Sequence, residues 1–498
     1  MILGKTCSAV VFLWAALLLG ACGGDGGSSG DPDAPPPPPP PDSTPTAPVN
    51  GIAIDTFLTA QGPVKVPRDL SMAMIAALVP AADGGFTTLP GTGTAQGSFT
   101  IPDVPEGPYY LSLNGRFIVT SLRTLDISMT FFGRAMQKKA AAPTMLTLDV
   151  TNMNAWQEGD ILELYIPNAG AAFSNPEAYA PTPPTVGATT LDLTVDYQSA
   201  ELPNVIDPTM GDEAFITHGI TGTTAQGVPY QALGAISYLQ PFALANGSTV
   251  TATGAFAAVA QTKTRNVDWR STEFANLIST AVPGGTTTFT NTFLDYVELD
   301  EAAFYSTPVL FQLKAPTTPD VLTTVTYGNP FSATWKEQLR ASISGFKRFT
   351  LGTKSGNSFA QFSISGSADE LLAGPIRPLI GPVQNLRVAE QDGSGPLAGL
   401  PAHPKITWDP PTMGQANSYS VLVYRFVADA TRLNRVQVGR INTKETSAIL
   451  PDGILKAGEP HFIIVRAHSH PGTTYDRFPF VTSHPLATAD RVTTVFTP

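Results

Sequence analysis

The amino-acid sequence predicts an all-β, multi-domain chain of β-sandwiches, set behind an N-terminal signal segment and a disordered Gly/Pro-rich tether. Three observations predict it. Charged residues are only 14% of the 498, with 44 glycines and 46 prolines, where helix-rich enzymes and coiled coils carry more charge. Short alternating runs rich in Thr, Val and Ser are broken by Gly, Pro, Asn or Asp, the pattern of half-buried strands and turns. The length exceeds what one hydrophobic core fills, so two to four domains are expected. A net charge of -11 without any basic stripe argues against nucleic acid as a partner, because that binding needs clustered Lys and Arg.

From the N-terminus, Lys5 supplies a positive start and Val10 to Leu19 an apolar run of signal-peptide length, shorter than the about 20 residues that span a bilayer. The run ends Leu19-Gly20-Ala21-Cys22, which closely resembles the lipobox of bacterial lipoproteins. The resemblance implies cleavage between Ala21 and Cys22, lipid on the Cys22 thiol, and attachment to the membrane through that lipid. An ordinary secretory signal with an incidental cysteine is the alternative. Cys7 falls within the discarded peptide, 1–21, so the folded body has no cysteine and no internal disulfide. In that family an Asp directly after the cysteine can retain the protein at the inner membrane in some bacteria; here Gly23 stands there, which favours the outer membrane. Residues 22–48 then form the tether, where Gly and Ser give flexibility and Pro35 to Pro41 favour polyproline II at about 3.1 Å per residue.

The first folded module is expected over 49–135. Its clearest stretch is "GTAQGSFTIPDVPEGPYYLSLNG", with Phe99 and Ile101 on one strand face, a turn from Pro102 to Pro108, and Tyr109, Leu111 and Leu113 on one face of the next strand. The residues Gly97, Phe99, Ile101, Val104, Pro105, Gly107, Tyr109 and Leu111 resemble the carboxypeptidase regulatory-like, transthyretin-like β-sandwich, an accessory module without catalytic residues. Tyr109 and Tyr110 are either an aromatic sugar platform or one core and one exposed tyrosine, since neighbours on a strand face opposite ways.

The middle region, 143–375, reads as one or two sandwich-like domains, with helical pattern only near Trp269 and over Trp335 to Ser342. Its candidate chemistry is thin. Ser344 and Lys347 with Lys354 resemble the S-x-x-K and K-x-G motifs of penicillin-recognising serine enzymes, but those motifs belong far apart on an α/β fold. Asp295, Glu298, Asp300 and Glu301 lack a calcium-loop spacing, Glu158 and Asp160 beside Trp156 suit a structural hairpin, and His218 reads as an isolated core or surface histidine. No catalytic residue, metal ligand or cofactor is assigned.

The C-terminal module, 381–498, carries the most specific pattern. "GPVQNLRV", "PKITWDPP", "SYSVLVYRF" and "LKAGEPHFIIVRAHS" resemble a fibronectin type III domain over nearly its whole length. Ala457 replaces the usual proline and His461 the tyrosine of the corner, where an imidazole can still donate one hydrogen bond. If Val421, Val423, Ile463 and Val465 face the core, alternation turns Leu422, Tyr424, Phe462 and Ile464 outward. Four adjacent large apolar groups are then expected to meet the preceding β region or a partner. His468 and His470 have no apparent third metal ligand and read as loop residues. Together these readings describe a lipid-anchored envelope protein displaying modules for adhesion, scaffolding or binding of a protein or carbohydrate. An exported hydrolase of glycans or peptides with its catalytic domain in the middle region is the alternative. A carbohydrate-binding role would need Trp156, Trp269 or the tyrosines aligned on an exposed face.

Overall fold

The computed structural model describes residues 46–498, except 60–61, 201–202, 283, 285–286, 298–307, 314–318, 333–334, 473–474, 476 and 481–482; over 287–297 it describes the backbone alone. Leu19, Gly20, Ala21, Cys22 and the side chains of the acidic cluster at 295–301 lie outside the described residues. With 52% strand and 6% helix, the class is all-β.

The first sandwich opens earlier than its composition suggests, because the strand Thr46–Ile52 already pairs with Ser98–Pro105. Its second sheet holds Ile75–Pro80, Phe86–Pro90, Tyr109–Leu113 and Arg116–Thr120. Phe99, Ile101, Val104, Tyr109 and Leu111 close the core between the sheets, the inward set that period-two alternation selects. The strand runs on through Pro105, beyond the expected start of the turn at Pro102, because Ala47 and Thr46 pair with Val104 and Pro105 across a bulge.

A second sandwich follows. Leu191–Asp196, Met145–Thr151 and Thr249–Ala255 form one sheet; Ala171–Ser174, Ile161–Ile166, Phe215–Thr223 and Pro229–Tyr238 form the other. Leu146, Leu148, Leu162, Leu164, Leu193 and Ile216 fill the space between them.

The remainder of the middle region does not keep a core to itself. Its long hairpin, Lys336–Leu351 and Lys354–Ser367, and its helix Ser271–Ala281 share one continuous apolar interior with the last module. Phe274 and Ile278 are the buried face of the helix, and Gly345 lets it approach, since a Cβ there would lie 2.2 Å from Ile278 Cγ2. Trp335 to Ser342 is strand rather than helix from Lys336 onward. Leu339, Ala341 and Ile343 are buried on one face, a period of two that overrides the helix-forming Lys, Glu and Gln beside them.

The last module is a sandwich of Gln391–Asp392, Gln384–Val388, Lys405–Asp409 and Ser447–Ile449 against Leu433–Thr443, Ser418–Ala428, His461–Ser469 and Leu486–Val492. Both edges of the larger sheet are taken by other modules. Phe362 of the long hairpin pairs with Ala489 on one side, and Arg116 of the first sandwich pairs in parallel with Arg440 on the other. Covering both edges removes the exposed ladders that invite association.

Candidate functional site

The sequence-marked residues fall mainly into structural roles. Tyr109 and Tyr110 are both buried, so neither forms an exposed platform. Tyr109 donates to Leu122 O, and Tyr110 accepts from the Ile449 N–H at 2.7 Å and meets Phe86 edge-on. The expectation of one exposed tyrosine fails because the last module covers the face on which Tyr110 lies. Trp156 and Trp269 are buried too, which removes them as sugar-stacking surfaces.

His218 is not isolated. Its Nε2 lies 3.0 Å from Asp160 Oδ2, and its ring stacks on Trp156 at 5.3 Å. Asp160 also accepts the N–H groups of Gln157 and Thr221 at 2.9 and 2.8 Å. Both Asp160 oxygens already accept an N–H, so Nε2 is the donor of the pair, and burial of the imidazole pushes its pKa down despite Asp160. The pair knits the Ile161–Ile166 and Phe215–Thr223 strands together, while Glu158 is exposed beside it.

Ser344 and Lys347 lie on the long hairpin, where Ser344 pairs with Gln361 and Lys347 with Ser358. Lys354 donates to Asp429 O, so the S-x-x-K resemblance corresponds to no nucleophile and base. His468 and His470 are 6.3 Å apart between ring centroids and bond different serines, Ser420 at 3.0 Å and Ser418 at 3.2 Å. Ser420 Oγ donates to Asn442 Oδ1, which leaves His468 Nε2 as the donor to it. Burial pushes the His468 pKa well down. Among the described residues no group of three His, Cys, Asp or Glu side chains could hold a metal ion.

In the set chosen by alternation, Leu422, Phe462 and Ile464 are buried and Tyr424 is half-buried. Tyr424 stacks on Phe462 at 5.1 Å and meets Phe359 of the long hairpin edge-on at 5.8 Å. Phe349 of the same hairpin stacks on Phe426, and Arg435 sits 4.2 Å above the Phe359 ring.

Two features escaped the sequence. One is a cavity of about 240 Å³ in the second sandwich, floored by Ile206, Ala214 and Leu239 and rimmed by Glu213, Tyr238 and Gln240. Tyr238 is 59% exposed, and burial of its remainder and the Glu213 charge push its phenol up. The deeper carboxylate, Asp212, is committed to Arg134 at 2.8 and 2.8 Å and to the Asp207 N–H at 2.8 Å. With Glu213 the only carboxylate on its rim, the cavity can hold a small polar group but has no acid and base facing each other. The other feature is Glu177, whose carboxyl is pushed up to about 7 by burial and whose Oε2 has no partner. Nothing in "SNPEAY" announces that burial, which comes from packing of its turn against the Ile161–Ile166 and Leu191–Asp196 strands.

The fold and these sites define a multi-module β-sandwich protein. No family model matches the chain, and no curated protein matches it. Among solved structures, the FN1–FN3 domains of chicken CNTN1 are similar over 73% of this chain and 98% of that one, at 11% identity and a TM-score of 0.13. A streptococcal ancillary pilin is similar over 80% and 99%, at 11% identity and a TM-score of 0.12. At those scores neither likeness carries an argument, and the sandwich fold rests on the strand pairing of this chain.

Proposed function

We propose that this is a lipid-anchored bacterial envelope protein, held in the outer membrane through Cys22 and displaying a rigid set of β-sandwiches as a scaffold for adhesion or ligand binding. The observation that carries the reading is the sharing of strands: the sheet of the last module is continued at one edge by the long hairpin and at the other by the first sandwich. Modules joined by a common sheet hold one orientation, which suits display rather than the hinge motions of enzymes that close on substrate.

The finer assignments follow the same pattern. The two sheets of the last module and the corner at His461, where Nδ1 bonds Glu459 O at 2.7 Å and Nε2 accepts the Lys456 N–H at 3.4 Å, support a fibronectin type III domain. The core residues Phe99, Ile101, Tyr109 and Leu111 support a transthyretin-like first module. A protein or carbohydrate ligand would find its polar contacts at Glu213, Tyr238 and Gln240. Leu422, Tyr424, Phe462 and Ile464 serve between modules in this reading. The test is metabolic labelling with a fatty-acid probe: the wild-type chain incorporates label and Cys22→Ala does not. Equal label in both would end the proposal.

A further inference from the structure

We infer that the seam between the first and last sandwiches binds an oxyanion, a carboxylate, sulfate or phosphate group, on Arg116 and Arg440. These two residues are direct partners in the parallel pairing of Arg116–Thr120 with Leu433–Thr443, and partners across a sheet present their side chains on the same face. Like charges so placed destabilise the pair.

Among the described residues no carboxylate pairs with either of them. Arg440 gives its Nε–H to Asn442 Oδ1 at 3.0 Å, and among the described residues no group accepts from its two Nη atoms or from the Arg116 guanidinium. The next row of this sheet face runs Asn442, Ser420, Arg466, Asp490. Its carboxylate is already engaged: Asp490 holds Arg466 through bonds of 2.6 and 2.9 Å and accepts the Gln361 N–H at 3.0 Å. Burial first, and then the charges of Arg466 and Arg116, push Arg440 below the usual guanidinium range, yet a guanidinium keeps its proton in a protein. A bound anion resolves the conflict, and the guanidinium fork suits planar or tetrahedral oxyanions. In a chain of net charge -11, two adjacent arginines with no carboxylate partner among the described residues are a departure that calls for a ligand rather than a general surface property. Arg116 comes from the first sandwich and Arg440 from the last, so the site exists only when the two are docked, and binding is linked to that docking.

The test uses the full-length chain in detergent, with sodium sulfate, sodium phosphate and sodium glucuronate each compared with sodium chloride at equal ionic strength, by calorimetry and thermal unfolding. At least one anion binds saturably at one site and raises Tm. Arg440→Gln and Arg116→Gln each weaken that binding by about tenfold or more. In chloride alone, Arg116→Gln leaves Tm unchanged or raised, since it removes a repulsion; an arginine with a merely structural role would lower it. A response to sulfate or phosphate assigns a tetrahedral oxyanion, and a response to glucuronate assigns a carboxylate. No saturable binding of any of the three, or equal binding by wild type and both variants, overturns the inference. A chain without lipid on Cys22 would bind the same anion, so the outcome is separate from that of the anchor.

Discussion

At residue scale, His461 shows how a substituted position keeps its job. The imidazole is buried and spans the corner with both nitrogens, donating to Glu459 O and accepting from the Lys456 N–H. Removing it breaks two part-buried hydrogen bonds of about 0.5–1.5 kcal/mol each, so His461→Ala should cost about 1–3 kcal/mol in chemical denaturation, while His461→Tyr should restore most of that. Glu177 gives a prediction of a different kind. Its folded-state pKa is raised from 4.5 to about 7, so the folded chain binds the proton more tightly than the unfolded one. The stability this contributes is full below pH 4.5 and is lost as pH rises through about 7. Glu177→Gln should therefore raise Tm at pH 8 relative to wild type while changing it little at pH 4.5; an equal shift at both pH values would show that the carboxyl is not the cause. The corner was legible in "AGEPHF" because it depends on local spacing. Glu177 was not, because its burial depends on strands outside its own turn.

At the scale of elements, the long hairpin is the clasp of the molecule. Its second strand pairs with Leu486–Val492 through Phe362 to Ser365, while Phe349 and Phe359, near its turn, lie against Phe426 and Tyr424. Phe359→Ala should destabilise the chain by about 2 kcal/mol, less than a fully buried phenylalanine because the ring is half-buried. Phe359→Leu should recover about half of that loss in the same denaturant titration. The sequence showed the apolar face on the last module through strict alternation, but could not show its cover, because nothing in "KRFTLGTKSGNSFAQF" names the sheet it joins. Over Lys336 to Ser342 the Lys336–Leu351 strand reads as helix for a related reason: short segments with Lys, Glu and Gln favour helix locally, and the pairing with Ser367 to Lys354 decides otherwise.

At the scale of the whole molecule, strand class, the inward residues of the first and last sandwiches and the length of the body were readable from period-two patterning. The joining of modules was not, since parallel contact between Arg116 and Arg440 involves residues more than 300 positions apart and leaves no local signal. Shared sheets and the continuous interior from the helix at Ser271 to Phe496 make the remainder of the middle region and the last module one unit of stability. The proposed lipid anchor, cleavable tether and undivided body are tested together by limited proteolysis of isolated membranes followed by mass measurement. First cuts are expected between residues 23 and 45, with a single released body that contains residues 46–498 and a lipid-bearing peptide that begins at Cys22. Early cuts at 136–142 or 376–382 that separate the modules, or an N-terminal peptide without lipid, would contradict the proposal.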